Sequence, residues 1–468
     1  MVVNALEKID DQAVRDSFRT GVYERTPFES TAFELSVTGE LPRELSGRYL
    51  RLGPNAFADH DPETYFWWSG AGMMHGVRLN NGRAEWYRSR LMRSSAVTEK
   101  FGLPPVPVPE GRSFGTAGTG PIVFRGKTYA TEEAGAIPLW VSNELDPLEG
   151  EDFGGTLTGG FSGHCKIDPR TGELVAIVYD VMEWFTKQRK PHALVVSPDG
   201  HVRHETPLDV QQVTMMHDCW ITENYIVAFE IPVRPAPELA EVMAVPFTWD
   251  PALPCRIGLV DRNKPSAPQR WFDIEPCAIF HTLSGYEEGD KIVLEAFRFD
   301  RLFDKDKVGF GESSAFLYRW TLNLSTGACE EELIDERPGE LGVIDPRRVG
   351  VYNRYGYWTG YSVGPHNSGE NRQLAFSFDT ICKIDRKTGE IARAAAPEGH
   401  VYGEMFFVPR SSDADEDDGW LMGFRYRLDG GNTDLMVFSA KDITADPVAT
   451  VHLPVRVPMG FHGWWGAD

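Results

Sequence analysis

The phrase CKIDPRTGELVA at 165–176 returns as CKIDRKTGEIAR at 382–393, and WTLNLSTGACEEEL at 320–333 is a looser copy. Each is an apolar run ending in Asp or Asn, a turn closed by Thr-Gly, and a second run. A hairpin repeated so far apart in one chain is the signature of stacked or radial repeats, and three copies predict the blades of a β-propeller. The remaining sequence agrees. Short β-type runs such as GRYLRLG, ELVAIVYDV, NYIVAFEIPV, KIVLEAFRF and TDLMVFSA are separated by NNG, DG and RTG turn signals. A helix is expected only near 9–18. The fold class is therefore all-β. At 468 residues and 41 % hydrophobic content the chain can bury one large β domain or two ordinary ones, and no clear linker divides it.

Charge and cysteine usage remove several classes of function. A net charge of −22 argues against a nucleic-acid partner. The first residues lack the basic-then-apolar profile of a signal peptide, and no apolar run reaches membrane-span length. The six Cys, at 165, 219, 255, 277, 329 and 382, include no C-x-x-C pair, which excludes the usual structural zinc site and suits the reduced thiols of a cytoplasmic protein. The acidic stretch at 410–419 is expected to be a solvated hairpin tip, and the Pro-rich stretch at 101–111 a loop over one face.

The histidines carry the chemistry. Of twelve, seven (His60, His192, His201, His204, His366, His400 and His452) sit in polar turns and need no special role. Four have apolar or small neighbours at the edge of a strand pattern: His164 in GFSGHCKID, His217 in TMMHDCW, His281 in AIFHTLSGY and His462 in MGFHGWW. His75 in GMMHGVRL is a fifth candidate by local context. Alone, His217 would pass for a residue at the end of a strand. The intervals of 53, 64 and 181 residues, the last about three times sixty, suggest equivalent positions on successive blades. Glu340 and Glu404 fall into the same series. Side chains at such positions would meet on one axis, and converging neutral imidazoles suit Fe, Cu, Zn or Ni. Each ligand would need its other N–H held by a carboxylate or carbonyl, a role that Glu340 and Glu404 can fill.

Other motifs fail on context. There is no H-E-x-x-H, and no His is followed two residues on by Asp or Glu. GPIVFRGKT at 120–128 has five residues between its glycines where a P-loop has four, and it lies in a hairpin. GAGMMHG at 70–76 has a His where the dinucleotide fingerprint needs Gly. GYSVG at 360–364 is followed by turn-forming residues where a hydrolase elbow needs a helix.

The segments ELPRELSGRYLRLGPNAF, GAGMMHGVRLNNGRAEWYRSR, SGHCKIDPRTGEL, MMHDCWIT, FHTLSGYEEGD, ELGVIDPRRVG, GEMFFVPR with EDDGWLMGFRYR, and GFHGWW occur in that order from about Phe33 to Asp468. Together they resemble the carotenoid cleavage oxygenase family. The resemblance implies a single seven-bladed β-propeller over 1–468, with loops forming a dome over one face and about 1–32 packing on it. It implies Fe(II) on the axis, held by His164, His217, His281 and His462. It implies Glu133, Glu340 and Glu404 as the carboxylates behind the ligands; Glu133 lies outside the spacing series and comes from the resemblance alone. Thr119 matches a position where the family often has Thr near an open coordination site. The implied reaction is addition of both atoms of O₂ across a conjugated double bond, giving two carbonyl products, with no acid–base residue strictly required.

This chain departs from the family at several points. GAGMM stands for the usual Gly-Asp-Gly-Met and GHCK for the usual AHPK, and neither change removes a ligand. The related stilbene-cleaving branch has a Lys where this chain has Glu132, and a Tyr in a loop that here reads FGLPPVP. Those differences favour a carotenoid or apocarotenoid over a stilbene or phenylpropenoid. A non-enzymatic scaffold remains as a contrasting reading, but a scaffold has no need of four such His. Met243, Val245, Phe247 and Trp249, in the loop at 239–254, are candidates for a peripheral membrane contact at the entrance, with a loop packed on its own blade as the alternative. Phe280, beside His281, is expected in the substrate pocket. Trp464 and Trp465 suit either that pocket or the core.

Overall fold

The Thr-Gly turn has one geometry in all three copies of the repeated phrase. Gly172, Gly327 and Gly389 stand at φ of +69°, +77° and +75°, a region that a Cβ disfavours. Their amides donate to the main-chain oxygens of Asp168, Asn323 and Asp385 at 2.8, 2.9 and 2.8 Å. The side-chain oxygens of those same residues accept the amides of Arg170, Ser325 and Lys387. Asp or Asn opens the turn because its side chain satisfies the backbone two residues on, and Gly closes it because the chain must reverse.

The computed structural model describes residues 20–56, 67–239, 246–305, 312–361 and 378–468. Among these, the named strands form antiparallel sheets that follow one another along the chain. Gly120–Phe124, Lys127–Thr131, Leu139–Val141 and Pro147–Gly150 make one four-stranded sheet. Cys165–Ile167, Leu174–Val178, His192–Val196 and Val202–Pro207 make the next, and Trp220–Ile221, Tyr225–Glu230, Arg256–Asp261 and Arg270–Asp273 a third. A seven-stranded sheet then runs from Ala278–Glu288 to Glu390–Ala395. Its central strand, Cys329–Val343, pairs through 329–338 with Ala315–Asn323 and through 339–343 with Tyr355–Gly360, so one strand serves two neighbours by its two halves.

The chain ends are woven together. Ser36–Gly39 pairs with Ala449–His452 at the edge of the last sheet. His462–Ala467 pairs with Gly47–Asn55, with Leu52 opposite His462. The C-terminal strand is thus an edge strand of a sheet built mostly from the first ninety residues, and this puts His462 among residues far from it in sequence. Between sheets the core is apolar and aromatic: Trp220, Trp320 and Trp358 are fully buried, and the Trp220 and Trp320 rings meet edge to face at 6.5 Å.

Two seven-residue helices, Ser95–Phe101 and Val181–Lys187, are additions to the expected picture. Both are too short to show a 3.6-residue period, yet each carries its cap: Ser94 accepts from Val97 and Asp180 from Glu183. The expected helix at 9–18 and most of the N-terminal segment lie outside the described residues, as do His60, His366 and Ser362 of GYSVG. The acidic stretch at 410–419 does join two paired strands, Phe406–Pro409 and Gly419–Arg427. His192, His204, His400 and His452 depart from expectation; each lies in a strand and not in a polar turn, and His192 is also buried. No helix among the described residues is long and apolar enough to cross a membrane.

Trp320 offers a clean test of the packing, because it is fully buried and its indole N–H makes no hydrogen bond that truncation would remove. Trp320→Ala is expected to cost about 3–5 kcal/mol, read as a lower urea midpoint with an unchanged slope.

Candidate metal centre

The four singled-out histidines arrive at one point from four sheets. His164 immediately precedes Cys165–Ile167, and His217 lies three residues before Trp220–Ile221. His281 lies inside Ala278–Glu288, where the register with the next strand breaks on either side of Thr282. His462 opens the C-terminal strand. A break in the ladder frees a side chain from strict alternation and re-aims it. The ring nitrogens that the four offer all lie within 4.8 Å of one another. The His164 ring centroid is 4.2, 5.1 and 4.5 Å from those of His217, His281 and His462.

Two rings are held from behind. Glu340 Oε2 accepts from His281 Nδ1 at 2.6 Å and from the Leu341 amide at 2.6 Å. Glu404 Oε1 accepts from His462 Nδ1 at 3.0 Å, while its Oε2 takes the Gly463 amide at 2.5 Å and lies 3.6 Å from Arg51 Nη1. Each bond fixes a tautomer with the proton on Nδ1 and the lone pair of Nε2 turned to the shared point. Glu133 differs. Its Oε2 stands 3.7 Å from His217 Nδ1 and 3.8 Å from His164 Nε2, between the two rings and beyond hydrogen-bond length of either. Burial pushes its carboxyl well above the usual range, with the Tyr179 hydroxyl opposing that shift and Glu132 and Asp218 adding to it.

The donor set fits a metal ion. Nε2 of His281 is buried with no hydrogen-bond partner, as are Nε2 of His164 and Nδ1 of His217 on either side of Glu133 Oε2, and such a cluster of under-satisfied imidazoles is expensive unless it holds something. Nitrogens bound at ~2.1 Å to one ion stand roughly 3 to 4.2 Å apart, so the observed limit of 4.8 Å closes with a small inward shift of the rings. Burial drives His164 and His217 well below the ordinary histidine pKa and lowers His462, so these imidazoles are neutral, the form that ligates. Burial works the same way on His281, but the charge and hydrogen bond of Glu340 overcome it, and its pKa is raised.

A cavity of about 230 Å³ opens on this point, with His217, His281 and His462 in its wall. The rest of the wall is largely apolar and includes Trp68, Met215, Phe247, Phe280, Leu341 and Phe461. The Phe280 ring lies 4.0 Å from that of His217 and 5.7 Å from Trp68. Thr119 also lines the cavity, and its hydroxyl accepts from the Glu133 amide at 3.1 Å. Glu132 faces the same space, where it takes the Thr116 hydroxyl and the Gly118 amide. A second space of about 310 Å³ reaches His164 and His462 from another side and is lined also by Lys166, Thr282 and Trp464.

Other sequence candidates take different places. His75 bonds the Tyr87 hydroxyl at 2.8 Å inside the sheet of the chain ends, and burial pulls its pKa down to about 3. Phe247 and Trp249 are buried, so the membrane-facing role expected for them does not hold: Phe247 belongs to the cavity wall and Trp249 to the core. Met243 and Val245 lie outside the described residues. Trp464 and Trp465 are half-buried and pack against the core.

The sequence profile of the family described as "Retinal pigment epithelial membrane protein" matches residues 23–467. The chain belongs to the carotenoid cleavage oxygenase family, and its class is that of the carotenoid-cleavage dioxygenases. It is 37 % identical to the "Carotenoid cleavage oxygenase" of Mycobacterium tuberculosis, over 93 % of this chain and 95 % of that one. Among solved structures, the lignostilbene dioxygenase of Pseudomonas brassicacearum superposes with a TM-score of 0.83 at 25 % identity, covering 97 % of this chain and 98 % of that one. The cobalt-substituted Synechocystis apocarotenoid oxygenase shares the fold, with a TM-score of 0.82 at 23 % identity over 97 % and 99 % of the two chains.

The raised pKa of His281 sets the sign of the pH dependence. Glu340 holds a proton on His281 above the ordinary histidine range, and a metal ion has to displace it; rising pH removes that competitor. Cobalt(II) affinity is expected to increase between about pH 6 and about pH 8 with proton release, measured by titration calorimetry in two buffers of different ionisation enthalpy. Glu340→Gln should move the increase to lower pH and weaken binding about 10- to 100-fold.

Proposed function

We propose that this chain is a non-haem Fe(II)-dependent dioxygenase that cleaves a conjugated carbon–carbon double bond of a carotenoid or apocarotenoid into two carbonyl products. The observation that carries this reading is the convergence of four imidazoles, three of them buried, at an apolar cavity that His217, His281 and His462 line. His164, His217, His281 and His462 would hold the iron. Bound there, ferrous iron supplies activation of dioxygen. The balance needs no outside electrons, since one O₂ and one alkene give two carbonyls. Glu340 and Glu404 keep two ligands in the ligating tautomer, Glu133 sits behind the other two, and Phe280 with its apolar neighbours aligns the polyene and excludes water. Thr119, in the same cavity wall, would border the bound iron. We also read the seven-stranded sheet as two four-stranded sets sharing one strand. With the other sheets this makes seven blades of a single propeller domain, whose first and last blades include strands from both chain ends.

A second reading, cleavage of a stilbene or phenylpropenoid on the same iron, has support in the likeness to lignostilbene dioxygenase. The Glu132 carboxylate weighs against it, since it stands where the stilbene branch carries a Lys, and it is already engaged by Thr116 and Gly118.

Elemental analysis of anaerobically purified protein tests the centre: about one iron per chain is expected, and His217→Ala should remove most of it. Incubation with apocarotenoids and with hydroxystilbenes, followed by product analysis, separates the two substrate classes. Phe280→Ala is expected to keep its iron and lose about tenfold in kcat/KM. Iron-free protein that takes up no added Fe(II) would refute the proposal.

A further inference from the structure

Asp218, which follows His217, is 3 % exposed and bonds to the segments that carry two other ligands. Lys166, two residues after His164, places its Nζ 2.9 Å from Asp218 Oδ1 and 3.1 Å from Oδ2. Thr282, next to His281, donates its amide to Oδ2 at 2.9 Å and its hydroxyl at 2.7 Å. The Cys219 amide donates to Oδ1 at 2.7 Å. From these contacts we infer that Asp218 is a positioning residue that locks the His164, His217 and His281 segments into one ligating geometry without touching the metal.

Three observations bear on this. All the groups around the carboxylate are donors, and they occupy both oxygens. An amide of the same shape would turn its NH₂ towards a donor in either orientation, so only a carboxylate completes the bracket. The bracket also acts where the sheet does not: the ladder between Ala278–Glu288 and Lys291–Phe299 is irregular on both sides of Thr282, and Asp218 holds the backbone there from the neighbouring sheet. Finally, His462 has its own anchor, because Glu404 binds both its ring and the Gly463 amide. Each of the four ligand segments is therefore tied by a buried carboxylate to an adjacent amide or a nearby cation.

The inference rests on the metal-centre reading above, and the test keeps the two apart. Cobalt(II) is titrated into metal-free protein, and affinity and the visible bands that report ligand number and geometry are recorded. Thermal midpoints are measured alongside. Asp218→Asn is expected to weaken binding about tenfold or more and to shift the bands. It also leaves the half-buried Lys166 without its counter-ion, so Asp218→Asn with Lys166→Met is the decisive pair of changes. The double variant should recover most of the thermal midpoint while cobalt remains weakly bound with altered bands. Recovery of the parental affinity and spectrum in the double variant would reduce Asp218 to a charge partner and overturn the inference. Should neither variant fold, Thr282→Val removes the hydroxyl leg alone; weaker binding with shifted bands supports the bracket, and parental behaviour overturns it. A parent protein that binds no cobalt overturns the metal centre, and the inference with it.

Discussion

A buried imidazole has two nitrogens, and either one left without a partner costs free energy. That constraint organises this molecule. Glu340 and Glu404 take one nitrogen each of His281 and His462, Glu133 stands beside one nitrogen each of His164 and His217, and each of the four rings offers a nitrogen to a common point. Three of the four rings are held neutral by burial. The arrangement is costly without an ion and favourable with one, because a cation shared among neutral ligands recovers the lost hydrogen bonds.

The strands supply the geometry by becoming irregular. Regular β-structure would send alternate residues to opposite faces, whereas the site needs side chains aimed along the ends of the strands. His164 and His217 lie just outside strands, His281 and Glu340 at breaks of register, and His462 at the first residue of its strand. Backbone groups released there are taken up by carboxylates: Leu341 by Glu340, Gly463 by Glu404, Thr282 by Asp218. Side chains that orient the histidines thus also repair the sheet that orienting them interrupts. Apolar residues in the cavity wall come from the same strand ends or their neighbours, Phe280 beside His281 and Phe461 beside His462.

Much of the centre was legible because its residues recur at blade-like intervals. The spacing of His164, His217, His281 and His462 pointed to equivalent strand positions, and their rings do meet. Glu340 and Glu404 fit the same interval. Glu133 did not, because it follows the outgoing strand Lys127–Thr131 and reaches the rings from a turn. Asp218 escaped notice for a different reason. It stands beside His217 in MMHDCW, and an Asp after a strand-end His looks like ordinary turn chemistry until Lys166 and Thr282 are seen to converge on it. The loop at 239–254 misled in the opposite direction: Phe247 and Trp249 resembled an exposed apolar tip, but each found a cavity wall or core to cover it.

What the sequence determined by itself was local and periodic. It set the hairpins, through Asp or Asn and Thr-Gly turns whose glycines must adopt positive φ, the all-β class, and the identity of the four histidines. Those properties depend on neighbours within a few residues or on a simple repeat. What the tertiary structure decided was the pairing of polar groups across the molecule: Glu133 stands between two rings without bonding either, Glu404 serves Gly463 as well as His462, and Asp218 collects three segments. Such pairings depend on where strands end relative to one another, to within a fraction of the length of a side chain. Residue periodicity carries no information at that scale, since one and the same spacing is compatible with a hydrogen bond, an ion pair or no contact at all.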